Sequence, residues 1–135
     1  MNTAVARWAT RLACCMCVLC AFHAQAEPAS PERGRALLLQ RQDTGCILCH
    51  QIPGLPVGGE LGPSLHGLAQ RSTPAQARER IADARRFNPQ TIMPAYLSTE
   101  GLHNVAKPYR GQTVLTPAAL DDIVSYLFQP NATAP

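Results

Sequence analysis

The sequence predicts a small all-α domain, with about three main helices and long loops wrapped around one covalently held group. Three observations predict it. Ser30-Pro31, Thr73-Pro74 and Thr116-Pro117 each have the form of a helix start. No β-α-β pattern is visible along the chain. Cys46-Ile47-Leu48-Cys49-His50 is a C-x-x-C-H run, which spaces two thiols to hold a prosthetic group.

Residues 27–30 are a short leader. The Ser30 hydroxyl can accept from the free N–H groups of a helix start, and proline suits the first helical position because no helix bond needs its nitrogen. A first helix is expected from there through Leu37, Leu38 and Leu39 to a stop near Gly45. Gly34 inside it costs ~1 kcal/mol relative to alanine. A close crossing with the last helix, against Tyr126, would account for it. Residues 51–63 are a loop rich in glycine and proline. Thr73-Pro74-Ala75-Gln76 is a capping box and opens a second helix running to about Phe87, where Asn88-Pro89 ends it. Residues 88–115 show no periodicity. The third helix opens at Thr116-Pro117, and Leu120, Ile123, Val124 and Leu127 recur at one-face spacing. It ends by Gln129-Pro130, and residues 130–135 are expected to be a disordered tail.

A long stretch without regular structure, such as 88–115, normally argues against an element assignment. A small helical domain of this kind needs a staple. A covalent group supplies the staple, and the long loop can wrap its open face.

Residues 1–26 read as a secretory signal, leaving 27–129 as the folded domain. Arg7 and Arg11 give a positive start, Leu12 to Phe22 is apolar, and Ala24-Gln25-Ala26 is an A-x-A cleavage site. The apolar run is shorter than the ~20 residues that span a bilayer. A lipoprotein signal at Cys20 is the rival, but Leu19 is not the small residue such a site wants. Removing the signal takes Cys14, Cys15, Cys17 and Cys20 with it, so only Cys46 and Cys49 remain. The mature chain keeps 10 Lys and Arg against 9 Asp and Glu, which gives no basic face for nucleic acid. Export to an oxidising compartment, the periplasm, would join two idle thiols unless a ligand consumed them.

C-x-x-C-H is the attachment sequence for c-type haem. Each thiol adds to one vinyl group, and the histidine meets the iron. Zinc would need four ligands, with His66 and His103 completing the set, but no second C-x-x-C is present. A thioredoxin-type dithiol would need a β-α-β setting. One covalently bound haem c is therefore the expected cofactor, with His50 as one axial ligand of the iron.

Met93 is the only methionine of the mature chain and sits between Pro89 and Pro94. A lone methionine is usually core filler. Here its soft thioether suits the second axial position, with His103 and then His66 as the alternatives. A ligating histidine also needs a partner for its other ring nitrogen. In Gly62-Pro63-Ser64-Leu65-His66-Gly67-Leu68, the Pro63 carbonyl is the candidate, against the plainer reading of a Gly-Pro turn. Arg71, Arg85 and Arg86 are candidates for the haem propionates.

The order of C-x-x-C-H, then G-P-x-L-x-G-L, then Met93-Pro94, then a closing amphipathic helix resembles class I cytochromes c. That resemblance covers most of the mature chain and implies His50/Met93 ligation, the Pro63 carbonyl contact and a first-to-last helix crossing. A narrower one rests on Asp83 to Tyr96, with N-P-x-T-x-M-P-x-Y at its centre, on Gly101 to Thr116, and on Asp121 to Leu127. This region is similar to the SoxX family, the monohaem subunits of SoxAX sulfur-oxidation cytochromes. The resemblance implies a heterodimer with a SoxA-like cytochrome, acting as an L-cysteine S-thiosulfotransferase on a SoxYZ-like carrier protein. It further implies electron delivery to a small cytochrome c. The catalytic cysteine would lie on the partner, and no catalytic residue is expected on this chain. A stand-alone periplasmic class I electron carrier is the alternative.

Overall fold

A computed structural model describes residues 27–130. The predicted signal at 1–26, and the predicted tail apart from Pro130, lie outside the described residues. The elements are α1 (Pro31–Leu39), α2 (Cys46–Cys49), α3 (Leu68–Arg71), α4 (Pro74–Ala82) and α5 (Pro117–Leu127). Short 3-10 turns occupy Ala84–Arg86 and Lys107–Tyr109. There is no strand among the described residues, so the domain is all-α. No described helix is long and apolar enough to cross a membrane.

The three expected helix starts are all present. Ser30 accepts the Arg33 N–H at 3.2 Å, Thr73 forms the full capping box with Gln76, and Thr116 accepts from Ala119 at 3.1 Å. The helix ends differ. α1 stops at Leu39 and does not reach Gly45. Residues 40–43 are Gln, Arg, Gln and Asp, which bring nothing apolar to bury. Thr44 then folds back, and its hydroxyl lies 2.7 Å from the Leu37 carbonyl and 3.0 Å from that of Gln40. It thus adds a second bond to two carbonyls at the helix end that already accept from the Gln40 and Gly45 N–H groups. α4 stops at Ala82 and does not reach Phe87. Asp83 is extended, and its carboxylate accepts the Arg85 N–H at 3.1 Å, which starts the 3-10 turn. A short acidic side chain competes with the helix in this way. Residues 88–115 hold no α-helix, as the sequence suggested.

α5 is the centre of the core. Leu120, Ile123, Val124 and Leu127 are buried on the expected face. They pack with Leu38 of α1, Ile47 of α2, and Ile52, Tyr96 and Leu115 from the loops. α1 crosses α5 so closely that a Cβ on Gly34 would collide with the Asp122 carbonyl and lie 3.0 Å from the Ile123 nitrogen. The crossing was expected, but its partner is the Asp122–Ile123 backbone, not Tyr126. Tyr126 lies one turn farther along α5 and donates its buried hydroxyl to the Pro53 carbonyl at 2.8 Å.

An ion pair seals the crossing. Asp122 is buried at 6% exposure. Its carboxylate accepts two Arg33 guanidinium bonds of 2.8 Å and the Ser30 N–H at 2.7 Å. Arg33 continues to the Glu27 carboxylate at 2.9 Å and the Pro28 carbonyl at 2.6 Å, which binds the leader to the same crossing. The Arg33 guanidinium beside Asp122 holds that carboxyl below its usual range. A depressed folded pKa adds stability above the ordinary carboxylate pKa, and that stability disappears as pH falls through the folded value. Asp122→Asn is expected to lose ~2 kcal/mol at neutral pH. Chemical denaturation from pH 7 down to pH ~3 checks this. The wild-type advantage over the variant should shrink toward the acid end.

Candidate functional site

The C-x-x-C-H run forms the single turn of α2. The His50 N–H closes that turn onto the Cys46 carbonyl at 3.0 Å. Positions three apart on a helix share a face, so Cys46 and Cys49 stand side by side. Both thiols are free and half-buried. Ile47 anchors the turn in the core, while Leu48 faces outward. Burial pushes the Cys46 thiol above its ordinary value. At neutral pH it is a protonated thiol and not a reactive thiolate.

The glycine- and proline-rich loop folds back over this turn. Gly59 and Gly62 donate to the Ile47 and Cys49 carbonyls at 2.9 and 2.7 Å, and Leu65 donates to that of Gln51 at 2.8 Å. These bonds bring the Pro63 carbonyl to 2.7 Å from His50 Nδ1. A carbonyl can only accept, so Nδ1 carries the proton and Nε2 keeps its lone pair free for a metal. Gly62 lies flat against the imidazole. A Cβ there would collide with Cε1 and come within 2.8 Å of Nδ1. Arg71 holds the far end of the loop, donating to the His66 carbonyl at 2.6 Å and also to that of Ser64.

Met93 is half-buried and packs against the core. Its N–H donates to the Thr91 hydroxyl at 3.2 Å, within a turn that Asn88 and Thr91 shape. His66 and His103 are both exposed. Arg85 is paired with Asp83 through two 2.8 Å bonds and donates to the Glu100 carbonyl at 2.8 Å. Arg71 and Arg85 thus have structural partners that the sequence did not suggest.

The donor set fits a covalently attached haem. Two adjacent free thiols, a histidine with its second nitrogen already bonded, and a flat glycine wall against its ring make one coherent cradle. Leu61 and Ile92, the chain neighbours of Gly62 and Met93, remain 68% and 72% exposed, so apolar surface near both segments lacks protein cover. The sequence pattern pointed to a His50–Pro63 contact, which is present, but not to Gly62. The signal was available, since a glycine directly before the partner proline is the natural place for a close approach. Gly62→Ala is expected to cost ~1–3 kcal/mol through overpacking. It should also perturb the ring resonances of His50 in NMR spectra, whereas a plain surface turn would leave them in place.

Three comparisons bear on this arrangement. The family model described as Cytochrome c matches residues 31–129. The crystal structure of SoxXA from P. pantotrophus is similar, with a TM-score of 0.66 and 27% identity over 78% of this chain and 85% of that one. No curated protein sequence matches the chain. The matched span runs from the first residue of α1 to just beyond α5 and encloses the whole cysteine–histidine cradle, so the chain belongs to the cytochrome c family, as a SoxX-like monohaem member with one covalently bound haem c.

Proposed function

We propose that this chain is the electron-accepting haem subunit of a SoxAX-type L-cysteine S-thiosulfotransferase, working in the periplasm after cleavage before Glu27. The observation that carries the proposal is the similarity to SoxXA, read together with the chain's cysteines. Within the matched span the only cysteines are Cys46 and Cys49, and haem attachment occupies both. No thiol is left to hold sulfur, so the sulfur chemistry belongs on a SoxA-like partner.

In the proposed reaction, thiosulfate and a carrier-protein thiol join through a new S–S bond. The thiol proton is released and two electrons leave. The haem, when bound, supplies one-electron chemistry. Cys46 and Cys49 would hold it through thioethers. His50 would bind the iron through Nε2, with its orientation fixed by the Pro63 carbonyl. Met93 would offer its thioether as a further ligand, a donor that favours ferrous iron and raises the potential. The electrons pass singly to a small cytochrome c, and the carrier is a SoxYZ-like protein.

A stand-alone periplasmic carrier is the second reading, favoured by membership of a family of electron carriers. Purification of the native holoprotein separates the two. It should elute with a second cytochrome, and thiosulfate plus carrier protein should reduce its haem. Elution alone, with haem that stays oxidised, supports the free carrier. The ligand assignment has its own test. Ferric wild type should show a methionine-to-iron charge-transfer band that Met93→Ala lacks, and a wild type without that band refutes Met93.

A further inference from the structure

We propose that Tyr96 is a positioning residue for Met93, whose hydroxyl latches the methionine loop to the segment leading into the cysteine pair. This rests on the assignment of Met93 as an iron ligand. The tyrosine is 5% exposed, and its hydroxyl donates to the Thr44 carbonyl at 2.6 Å. Thr44 is itself fixed by its own hydroxyl against the end of α1, two residues before Cys46. The bond therefore spans 52 residues and joins the two segments that would supply the two sides of the iron site.

The far end of the latch is rigid. The Tyr96 N–H donates to the Ile81 carbonyl at 3.4 Å, that of Leu97 to Ala82 at 3.0 Å, and that of Leu115 to the Tyr96 carbonyl at 3.0 Å. Only Pro94 and Ala95 separate Tyr96 from Met93, and the proline ring fixes one of the intervening dihedrals. Movement of the Met93 backbone away from its position must then strain this short link or break the hydroxyl bond, so the latch limits the thioether to the range that side-chain rotation alone can sweep. On the other side of Met93 the bonds are local: Met93 to Thr91, Thr91 to Asn88, and the Asn88 N–H to the Ala84 carbonyl at 3.0 Å, with Ile92 72% exposed. The bonds that tie this loop to distant parts of the chain lie on the Tyr96 side.

The test uses ferric holoprotein and imidazole, which can bind only when the methionine leaves. Tyr96→Phe keeps the ring and loses the hydroxyl. It should bind imidazole ~2- to 10-fold faster than wild type, the range one net hydrogen bond allows. Tyr126→Phe is the control, because it also loses a buried hydroxyl bond, to Pro53, on a different loop. It should bind imidazole at the wild-type rate although its thermal stability falls. Equal rates for Tyr96→Phe and wild type overturn the latch, as does equal acceleration in both variants. Failure of Tyr96→Phe to accumulate as holoprotein also counts against it, since a latch on one ligand leaves haem attachment intact. A wild type without the methionine band removes the Met93 assignment, and the latch with it. A band present with an unchanged Tyr96→Phe rate removes the latch alone.

Discussion

The backbone-to-backbone crossing of α1 and α5 at Gly34 is the constraint on which the other parts rest. With no side chain at that point, α1 settles directly onto the Asp122–Ile123 peptide. Leu38 can then reach the α5 face that carries Leu120 and Ile123, and these three are the most deeply buried large side chains. Charge is used to close the same joint. Asp122 loses its water but gains three hydrogen bonds, two of them from a guanidinium. A buried carboxylate is tolerated only with that degree of pairing. Because α1 leads within a few residues to Thr44 and then to Cys46, the angle of this crossing sets where the haem-holding turn begins.

The site is assembled by loops, and each loop is tied by backbone groups or by a tyrosine hydroxyl. Tyr126 fastens the loop after His50 to α5, and Tyr96 fastens the methionine loop to Thr44. The Gly59–Leu65 segment is bonded directly onto the cysteine turn. This division suits a domain with a small core. Helices supply a frame, and polar bonds of defined length place the loops on it. No buried polar side chain among the described residues lacks a partner.

A SoxX-like chain with both thiols committed to haem is well suited to moving electrons and poorly suited to sulfur chemistry. Burial raises the Cys46 pKa, so that thiol is not poised as a nucleophile in this fold. The same economy is seen at His50. One ring nitrogen is bonded to a proline carbonyl, so its tautomer is fixed and the other nitrogen keeps its lone pair free. These are features of a cofactor holder.

Local chemistry made much of this legible in the sequence. Helix starts were readable because Ser or Thr followed by Pro acts within four residues, and all three appeared as expected. The buried face of α5 followed from spacing alone, whereas the short helix that carries Cys46 and Cys49 was not expected. The Pro63 contact was readable because a histidine ligand needs an acceptor and a proline carbonyl has no N–H beside it to compete. The helix ends were missed for local reasons, since Thr44 returns to α1 and Asp83 binds Arg85 within a few residues and such bonds compete with continuing a helix. What else the sequence left open depends on residues far apart in the chain, as where Gly34 answers to Asp122 and not Tyr126. The Tyr96–Thr44 bond belongs to the same group. Their energies come from contacts across the fold, and neither spacing nor composition carries information about which distant carbonyl a hydroxyl will meet.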